Sequence, residues 1–113
     1  MDNYKPAIRR ILAGHLAFRP AEENIETVAI CDETGEHYML LEVGWQYPRR
    51  IFNVVFHIRL KDDRVWVEQD WTEYGVAREL LDAGIPAEAI ELGFQPPEIR
   101  PYTELATIAA RER

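Results

Sequence analysis

The apolar residues at the start of the chain have the spacing of an amphipathic helix. Over residues 5–18, apolar and aromatic side chains recur at steps of three and four, which places them on one helical face. This face comprises Tyr4, Ile8, Ile11, Leu12, His15 and Phe18. The opposite, exposed face carries a local basic cluster of Lys5, Arg9 and Arg10.

A region of alternating apolar and polar residues follows and predicts four β-strands. The predicted strands cover 25–32, 37–45, 52–60 and 65–70. The third has the clearest alternation, with five side chains facing one way: Phe52, Val54, Phe56, Ile58 and Leu60. In the second, the side chains that share one face are Met39, Leu41, Val43 and Trp45. Because short polar loops join the strands, we predict an antiparallel meander rather than βαβ units.

Helices are predicted to close the fold. Asp70 and Glu73 have the spacing of a helix capping box, with Thr72 as a competing cap. An apolar stripe follows at Val76, Ala77, Leu80 and Leu81, and a last helix is predicted over about 103–111. We therefore predict an α+β fold: an N-terminal helix, an antiparallel sheet of four or more strands, and C-terminal helices packed on one face.

Length and charge narrow the picture further. The 113 residues are enough for one domain, which we assign to 1–113, and 47% of them are hydrophobic, enough to form a core. The net charge of -7 arises entirely after residue 61, where twelve acidic residues face five basic ones. This acidic excess argues against binding nucleic acid over a broad surface. It does not exclude a local basic patch in the first half of the chain, where the charges cancel.

Cysteine content and hydropathy bear on location. The single cysteine, Cys31, follows Val28, Ala29 and Ile30, so we expect a buried and unreactive thiol. No apolar run approaches the roughly 20 residues that cross a bilayer, and the first residues contain no signal-peptide core. We expect a cytoplasmic protein that does not bind membranes.

The chain carries few residues arranged for catalysis. Its three histidines have no metal-site spacing, it contains no serine, and its glycines form no phosphate loop. The strongest catalytic alternative is a small enzyme that uses His57 with Glu68 and Asp70, which share one strand face. Helix capping already explains Asp70, and no lysine follows the acids as a restriction-type nuclease requires. We expect no enzymatic activity, no metal and no cofactor.

A mixture of aromatic and arginine residues indicates a binding surface. Around the junction of the second and third predicted strands lie Trp45, Tyr47, Arg49, Arg50 and Phe52. Such residues concentrate binding energy at protein interfaces, and they also occur at single-stranded nucleic-acid sites. In the alternative interpretation, Trp45 and Phe52 belong to the core and the arginines cap a turn. Trp66 is a further candidate, because it is exposed if helices cover only one face of the sheet.

The order of motifs along the chain resembles the XisI family, the fdxN element excision controlling factors of cyanobacteria. Its landmarks are VGW at 43–45, the paired Arg49-Arg50, HI at 57–58, Trp66, TE-x-G-x-A at 72–77, GIP at 84–86, LGF-x-PP at 92–97 and RPYT at 100–103. The chain departs from the family pattern at Trp71, where glycine is common, and in its last residues.

The resemblance implies a non-catalytic accessory role in site-specific DNA excision and recombination during heterocyst differentiation. XisI-like proteins are similar to a factor that acts with XisH, whose resemblance to restriction-type nucleases would place the chemistry in the partner. We expect an XisH-like protein to bind at Trp45, Arg49, Arg50 and Trp66, and an exposed strand edge favours a homodimer. The alternative function is direct nucleic-acid binding through the arginine and aromatic residues, including Arg9 and Arg10.

Overall fold

Two helices and five strands make up the computed structural model, which describes residues 4–18, 22–32, 34, 36–103, 105, 106, 108 and 111. The helices are α1 (Lys5–Phe18) and α2 (Val76–Asp82). The strands are β1 (Ile25–Asp32), β2 (His37–Gln46), β3 (Arg49–Lys61), β4 (Arg64–Asp70) and β5 (Ile90–Leu92). Short 3₁₀ turns occupy Ala87–Ala89 and Arg100–Tyr102.

The N-terminal helix has the predicted bounds. Ile8 and Leu12 are buried at the centre of its apolar face, and His15 contacts the ring of Phe56 edge-on. Phe18, which the spacing places in the same stripe, is almost fully exposed at the end of the helix. The predicted face therefore packs on the sheet over its first three turns.

The sheet confirms the predicted meander and adds a fifth strand. Its order is β1-β2-β3-β4-β5, and the first four strands are antiparallel. β5 runs parallel to β4 and is connected to it through α2, so the chain contains one βαβ unit where only a meander is predicted. Three residues are too few to show a strand pattern, which is why the sequence does not reveal β5.

The core lies between the two helices and one face of the sheet. Its strand residues include Tyr38, Leu40, Val55, Phe56, Ile58, Leu60, Val65 and Val67. The residues Leu40 and Leu41 of β2 pair with Phe56 and Val54, so Val55 is an extra residue that forms a β-bulge. We call the part of β3 after this bulge, 56–61, the part below it, and the part before the bulge, 49–54, the part above it. The predicted alternation holds below the bulge and fails above it, since Phe56 is fully buried whereas Phe52 is 63% exposed.

Helix α2 starts later than the capping box predicts. Asp70 does stabilise its first turn, because its Oδ2 accepts a hydrogen bond from the N–H of Val76 (2.8 Å) and its Oδ1 accepts one from the N–H of Thr72 (2.9 Å). A turn comes first, in which the N–H of Gly75 donates to Oγ1 of Thr72 (3.2 Å). The helix therefore begins at Val76 rather than directly after Asp70.

The outer strand β1 leaves the single cysteine accessible to solvent. Cys31 is exposed, contrary to the prediction, because it lies on β1 at the edge of the sheet, where apolar sequence neighbours do not provide cover. No helix in the described part of the chain is long and apolar enough to cross a membrane. Of the helix predicted over about 103–111, the described residues 105, 106, 108 and 111 are helical, and residues 104, 107, 109 and 110 lie outside the described part of the chain.

Candidate partner interface

The face of the sheet turned away from α1 and α2 is called here the open face. Because side chains alternate along each strand, the neighbours of the buried Tyr38 and Leu40 in β2 point to the open face. This face therefore carries the stripe that the sequence pattern predicts: Met39, Leu41, Val43 and Trp45. Beside it, β1 contributes Val28 and Ile30, and β3 contributes Phe52 and Val54. An apolar band thus crosses the sheet on the face opposite the core.

One end of the molecule concentrates the exposed aromatic residues. β4 pairs with β3 only from Phe56 to Lys61, so β2 and β3 continue beyond it as a ribbon. Four large side chains at this end are exposed, and we call them together the aromatic end: Trp45, Tyr47, Phe52 and Trp71. Trp71 is 77% exposed. These exposures exclude the interpretation of Trp45 and Phe52 as core residues.

The hairpin between β2 and β3 brings Trp45 and Arg50 together. These two residues are directly opposite each other in the register, and the Arg50 guanidinium lies 5.4 Å from the centre of the Trp45 ring. The Tyr47 ring stacks on Trp45 at 5.7 Å between centroids. Nη1 of Arg50 also donates to the carbonyl of Gly44 (3.3 Å). The result is a flat aromatic surface with a positive charge beside it.

Arg49 lies on the other face of the same hairpin. It pairs with Gln46, and its Nη2 donates to Oε1 of Gln46 (2.7 Å). Both arginines are exposed, so the tip presents one guanidinium on each face of the ribbon. The predicted pair of arginines is therefore split between two surfaces.

Trp66 is far from the other predicted partner-binding residues. It pairs with Arg59 in β3, nine residues below Arg50, which corresponds to about 30 Å along the strand. Its ring is half-buried, with the Arg100 guanidinium at 5.3 Å and the Lys61 ammonium at 5.8 Å from its centre. Its Nε1–H donates to the carbonyl of Lys61 (3.2 Å). The chain's own side chains thus cover Trp66, contrary to the expectation that it is exposed.

Sequence reasoning missed a groove beside Trp71. This groove, of about 560 Å³, is lined by Glu42, Phe52, Asn53, Val54, Val55, Gln69 and Trp71. It forms where β4 leaves β3: the N–H of Trp71 donates to the carbonyl of Val55 (2.8 Å), and Nε2 of Gln69 donates to that of Val54 (3.1 Å). The signal in the sequence was Trp71 itself, the residue that departs from the family pattern.

A polar cluster occupies the opposite end of the open face. Nδ1 of His37 and Nε2 of His57 are 2.9 Å apart, and Nη2 of Arg59 contacts Oε2 of Glu68 at 3.2 Å. Burial lowers the pKa of His57, and the neighbouring His37 lowers it further. Because one ring of the pair must accept the hydrogen bond, at least one histidine is neutral.

This cluster does not assemble the catalytic group considered above. Glu68 is engaged by Arg59, while Asp70 accepts hydrogen bonds from Thr72 and Val76 at the start of α2. Among the described residues, no group of three histidine, cysteine or carboxylate side chains could hold a metal ion. The geometry of the cluster is that of a hydrogen-bonded patch on the sheet.

Two solved structures, both from Anabaena variabilis ATCC 29413, are similar to this fold. A XisI-like protein is 33% identical with a TM-score of 0.85, over 90% of this chain and 94% of that one. The fdxN element excision controlling factor XisI is 28% identical with a TM-score of 0.75, over 86% of this chain and 94% of that one. No curated protein matches the chain.

The family itself follows from the sequence match. The family model described as XisI protein matches residues 1–107, which includes both helices, all five strands and the aromatic end. The motifs that indicated the resemblance lie within this match. The chain belongs to the XisI family.

Proposed function

We propose that this chain is a non-catalytic accessory factor that controls excision of an fdxN-type DNA element by binding an XisH-like protein at the aromatic end. Family membership supports the setting, since one similar structure is an fdxN element excision controlling factor. The partner supplies the nuclease-like chemistry. The chain contributes a preformed surface.

The observation that carries this proposal is the exposure of the aromatic end. Leaving large apolar side chains in water is unfavourable, and a contiguous exposed group of them typically marks a binding surface. Trp45 and Arg50 belong to the residue types that dominate interface energetics. Because both are mounted on a paired β-ribbon, little conformational entropy is lost when a partner covers them.

The ribbon also offers backbone groups to a partner. The N–H of Trp45 donates to the carbonyl of Asn24 (2.9 Å), so the residue opposite it in β3, Arg50, turns its N–H and C=O away from β2. By alternation, Phe52 does the same. β4 does not extend along this part of β3. An extended segment of the partner can therefore add as a strand at Arg50 and Phe52 while Trp71 packs over it.

The second candidate function is direct binding of single-stranded nucleic acid. The stacked Trp45 and Tyr47 rings with the Arg50 guanidinium favour it, because bases stack on such rings and arginine contacts phosphate. The net charge of -7 opposes it. Arg9 and Arg10 lie on α1, which packs on the opposite face of the sheet, so they do not extend the patch on the open face.

Binding to a purified XisH-like protein tests the proposal. We expect Trp71→Ala and Phe52→Ala each to weaken the complex about 30-fold, the size of a typical interface hot spot. Phe94→Ala is the matched control, since Phe94 is also exposed but follows β5, and it should leave the affinity unchanged.

Salt dependence separates the two functions. Affinity for the protein partner should change little as salt is raised, whereas binding through phosphate contacts falls steeply. Tight binding to single-stranded DNA with a steep salt dependence, and none to the XisH-like protein, would contradict the proposal. Equal losses for Phe94→Ala and Trp71→Ala would also contradict it.

A further inference from the structure

The two edges of the sheet differ in how they are protected. β5 is only three residues long, and Arg64 and Glu91 form a salt bridge across it and β4. β1 is eight residues long and forms the other edge, and on its outer side, away from β2, the only pairing by a described residue is the single bridge from Glu22 to Ile25. A long strand edge is a template for pairing with another strand unless charges or bulges disfavour it. β1 has a regular register without a bulge.

The direction of each backbone group on β1 follows from the ladder with β2. The Asn24 carbonyl accepts from Trp45, so Asn24 and every second residue after it bond toward β2. Thr27 and Ala29 therefore direct their N–H and C=O groups outward. The N–H of Ile25 donates to the carbonyl of Glu22 (3.3 Å), on the outer side of the strand, in agreement with this alternation.

We propose that two copies of the chain pair through β1, antiparallel, around a two-fold axis at Val28. Bonded and non-bonded residue pairs alternate in an antiparallel ladder, so a two-fold axis requires one residue to face its own copy. With Val28 at the axis, Thr27 of each copy faces Ala29 of the other. Four backbone hydrogen bonds then link these residues, and the paired segment covers 25–31.

Charge repulsion and the length of the paired segment favour the axis at Val28 over axes at Ala29 and Thr27. An axis at Ala29 gives a paired segment of the same length but places Glu26 opposite Asp32 twice, which like-charge repulsion disfavours. An axis at Thr27 reduces the paired segment of β1 to 25–29. With the axis at Val28, Glu26 faces Ile30, and no two charged residues of β1 are opposite each other.

Apolar side chains flank the proposed seam on both faces. On the open face, Val28 meets its own copy and Ile30 is half-exposed beside it. On the other face, Leu16 is exposed on the flank of α1 opposite to the residues that face α2, which are Ala7, Ile11 and Gly14. Pairing therefore covers apolar surface as well as backbone, and it joins two sheets into one of ten strands.

The two copies have a fixed relative orientation in this assembly, whichever partner binds the aromatic end. The two-fold axis of a continuous antiparallel sheet is perpendicular to it, so both copies present their open faces on the same side. The two aromatic ends then point in opposite directions from a common centre. The dimer therefore carries two identical partner surfaces.

Disulfide trapping tests the register in the full chain with Cys31→Ala as the background. Val28 faces itself in a non-hydrogen-bonded pair, where the Cα atoms are about 4.5 Å apart, within the range of a disulfide. Val28→Cys should therefore form a covalent dimer on mild oxidation, read on a non-reducing gel. Ile30→Cys is the matched control on the same face, since its two copies lie about 14 Å apart in this register. Equal trapping at both positions, or none at Val28→Cys, would overturn the proposal.

Proline substitution tests the pairing without a cross-link. Ala29→Pro removes an N–H that points outward, so it spares the ladder with β2 and should raise the dissociation constant of the dimer at least tenfold in sedimentation experiments. Thermal unfolding checks that the monomer stays folded. An unchanged dimer in Ala29→Pro contradicts the proposal. So does a wild-type chain that remains monomeric at roughly 100 μM. If Ala29→Pro instead weakens binding of the XisH-like protein, the edge serves that partner and self-pairing is wrong.

Discussion

The two halves of β3 have similar composition and opposite environments. Below the bulge at Val55, β3 lies between β2 and β4, and helices cover Phe56, Ile58 and Leu60. Above the bulge, β3 pairs with β2 alone, and Leu41 is the one buried residue among the described residues 41–54. Phe52 and Phe56 are therefore the same residue type on one strand, one exposed and one fully buried.

An apolar strand position therefore belongs to the core or to an interface depending on what covers it. The lower half closes its own core, so its apolar residues stabilise the fold. No described strand pairs with the upper half on the side away from β2, yet this half and the adjoining end of the hairpin carry exposed aromatic side chains at Phe52, Trp45 and Tyr47. This distribution is expected when a second molecule completes the upper half.

The largest expected difference in stability between the two halves of β3 is that between the alanine variants of Phe56 and Phe52. Phe56→Ala should lower the free energy of unfolding by about 3–5 kcal/mol, because it leaves a cavity in the core. Phe52→Ala should change it by less than about 0.5 kcal/mol, since most of the side chain is already in water. Urea unfolding of both variants measures the difference. Similar losses for the two would show that the upper half is part of the core.

A second test concerns how the ribbon is held to the rest of the sheet. A Cβ added at Gly44 would lie 1.9 Å from the carbonyl oxygen of Asn24, so Gly44→Ala forces β1 and β2 apart. We expect a loss of at least about 2 kcal/mol in the free energy of unfolding.

Gly14→Ala is the matched control for this substitution. Apart from the backbone of its own helix, no atom of the described residues lies within 4 Å of a Cβ at Gly14, and alanine is favoured over glycine in a helix by about 0.5–1 kcal/mol. This variant should therefore be slightly more stable than the wild type in the same urea experiment. Equal behaviour of the two variants would mean that the close approach of Asn24 to Gly44 has no energetic role.

The smallest effect comes from the histidine pair in the lower half. Burial lowers the pKa of His57 below 6.5, as does the adjacent His37, so the unfolded chain takes up this proton at higher pH than the folded chain. The free energy of unfolding should therefore fall as the pH drops below about 6.5. Urea midpoints at pH 7.5 and 5.5 should differ less in His57→Asn than in the wild type. An identical pH dependence in both would show that this histidine is not responsible.

Local patterns account for the parts of the fold that could be predicted. The three- and four-residue spacing places α1 over 5–18, and alternation with polar loops predicts β1 to β4 in an antiparallel order. The bulge at Val55 could not be predicted, because Val54, Val55 and Phe56 form an uninterrupted apolar run with no marked extra residue. β5 could not be predicted either, because its three residues form a strand through pairing with β4 and show no strand pattern of their own.

The candidate site was predicted only where residues are close in sequence. Trp45 and Arg50 meet because a two-residue turn pairs them across the hairpin, which local spacing can indicate. Exposure is a tertiary property, so the cover of Trp66 by Lys61 and Arg100 was not visible in the sequence. For the same reason, the groove beside Trp71 appeared only once the end of β4 was located.

Backbone hydrogen exchange with and without the XisH-like protein tests the central claim most directly. If the aromatic end is the partner surface, the amides of Arg50, Phe52 and Trp71 should gain protection in the complex, while those of α2 stay unchanged. Protection confined to α2 and β5, with the exchange of 45–54 unaltered, would contradict the account.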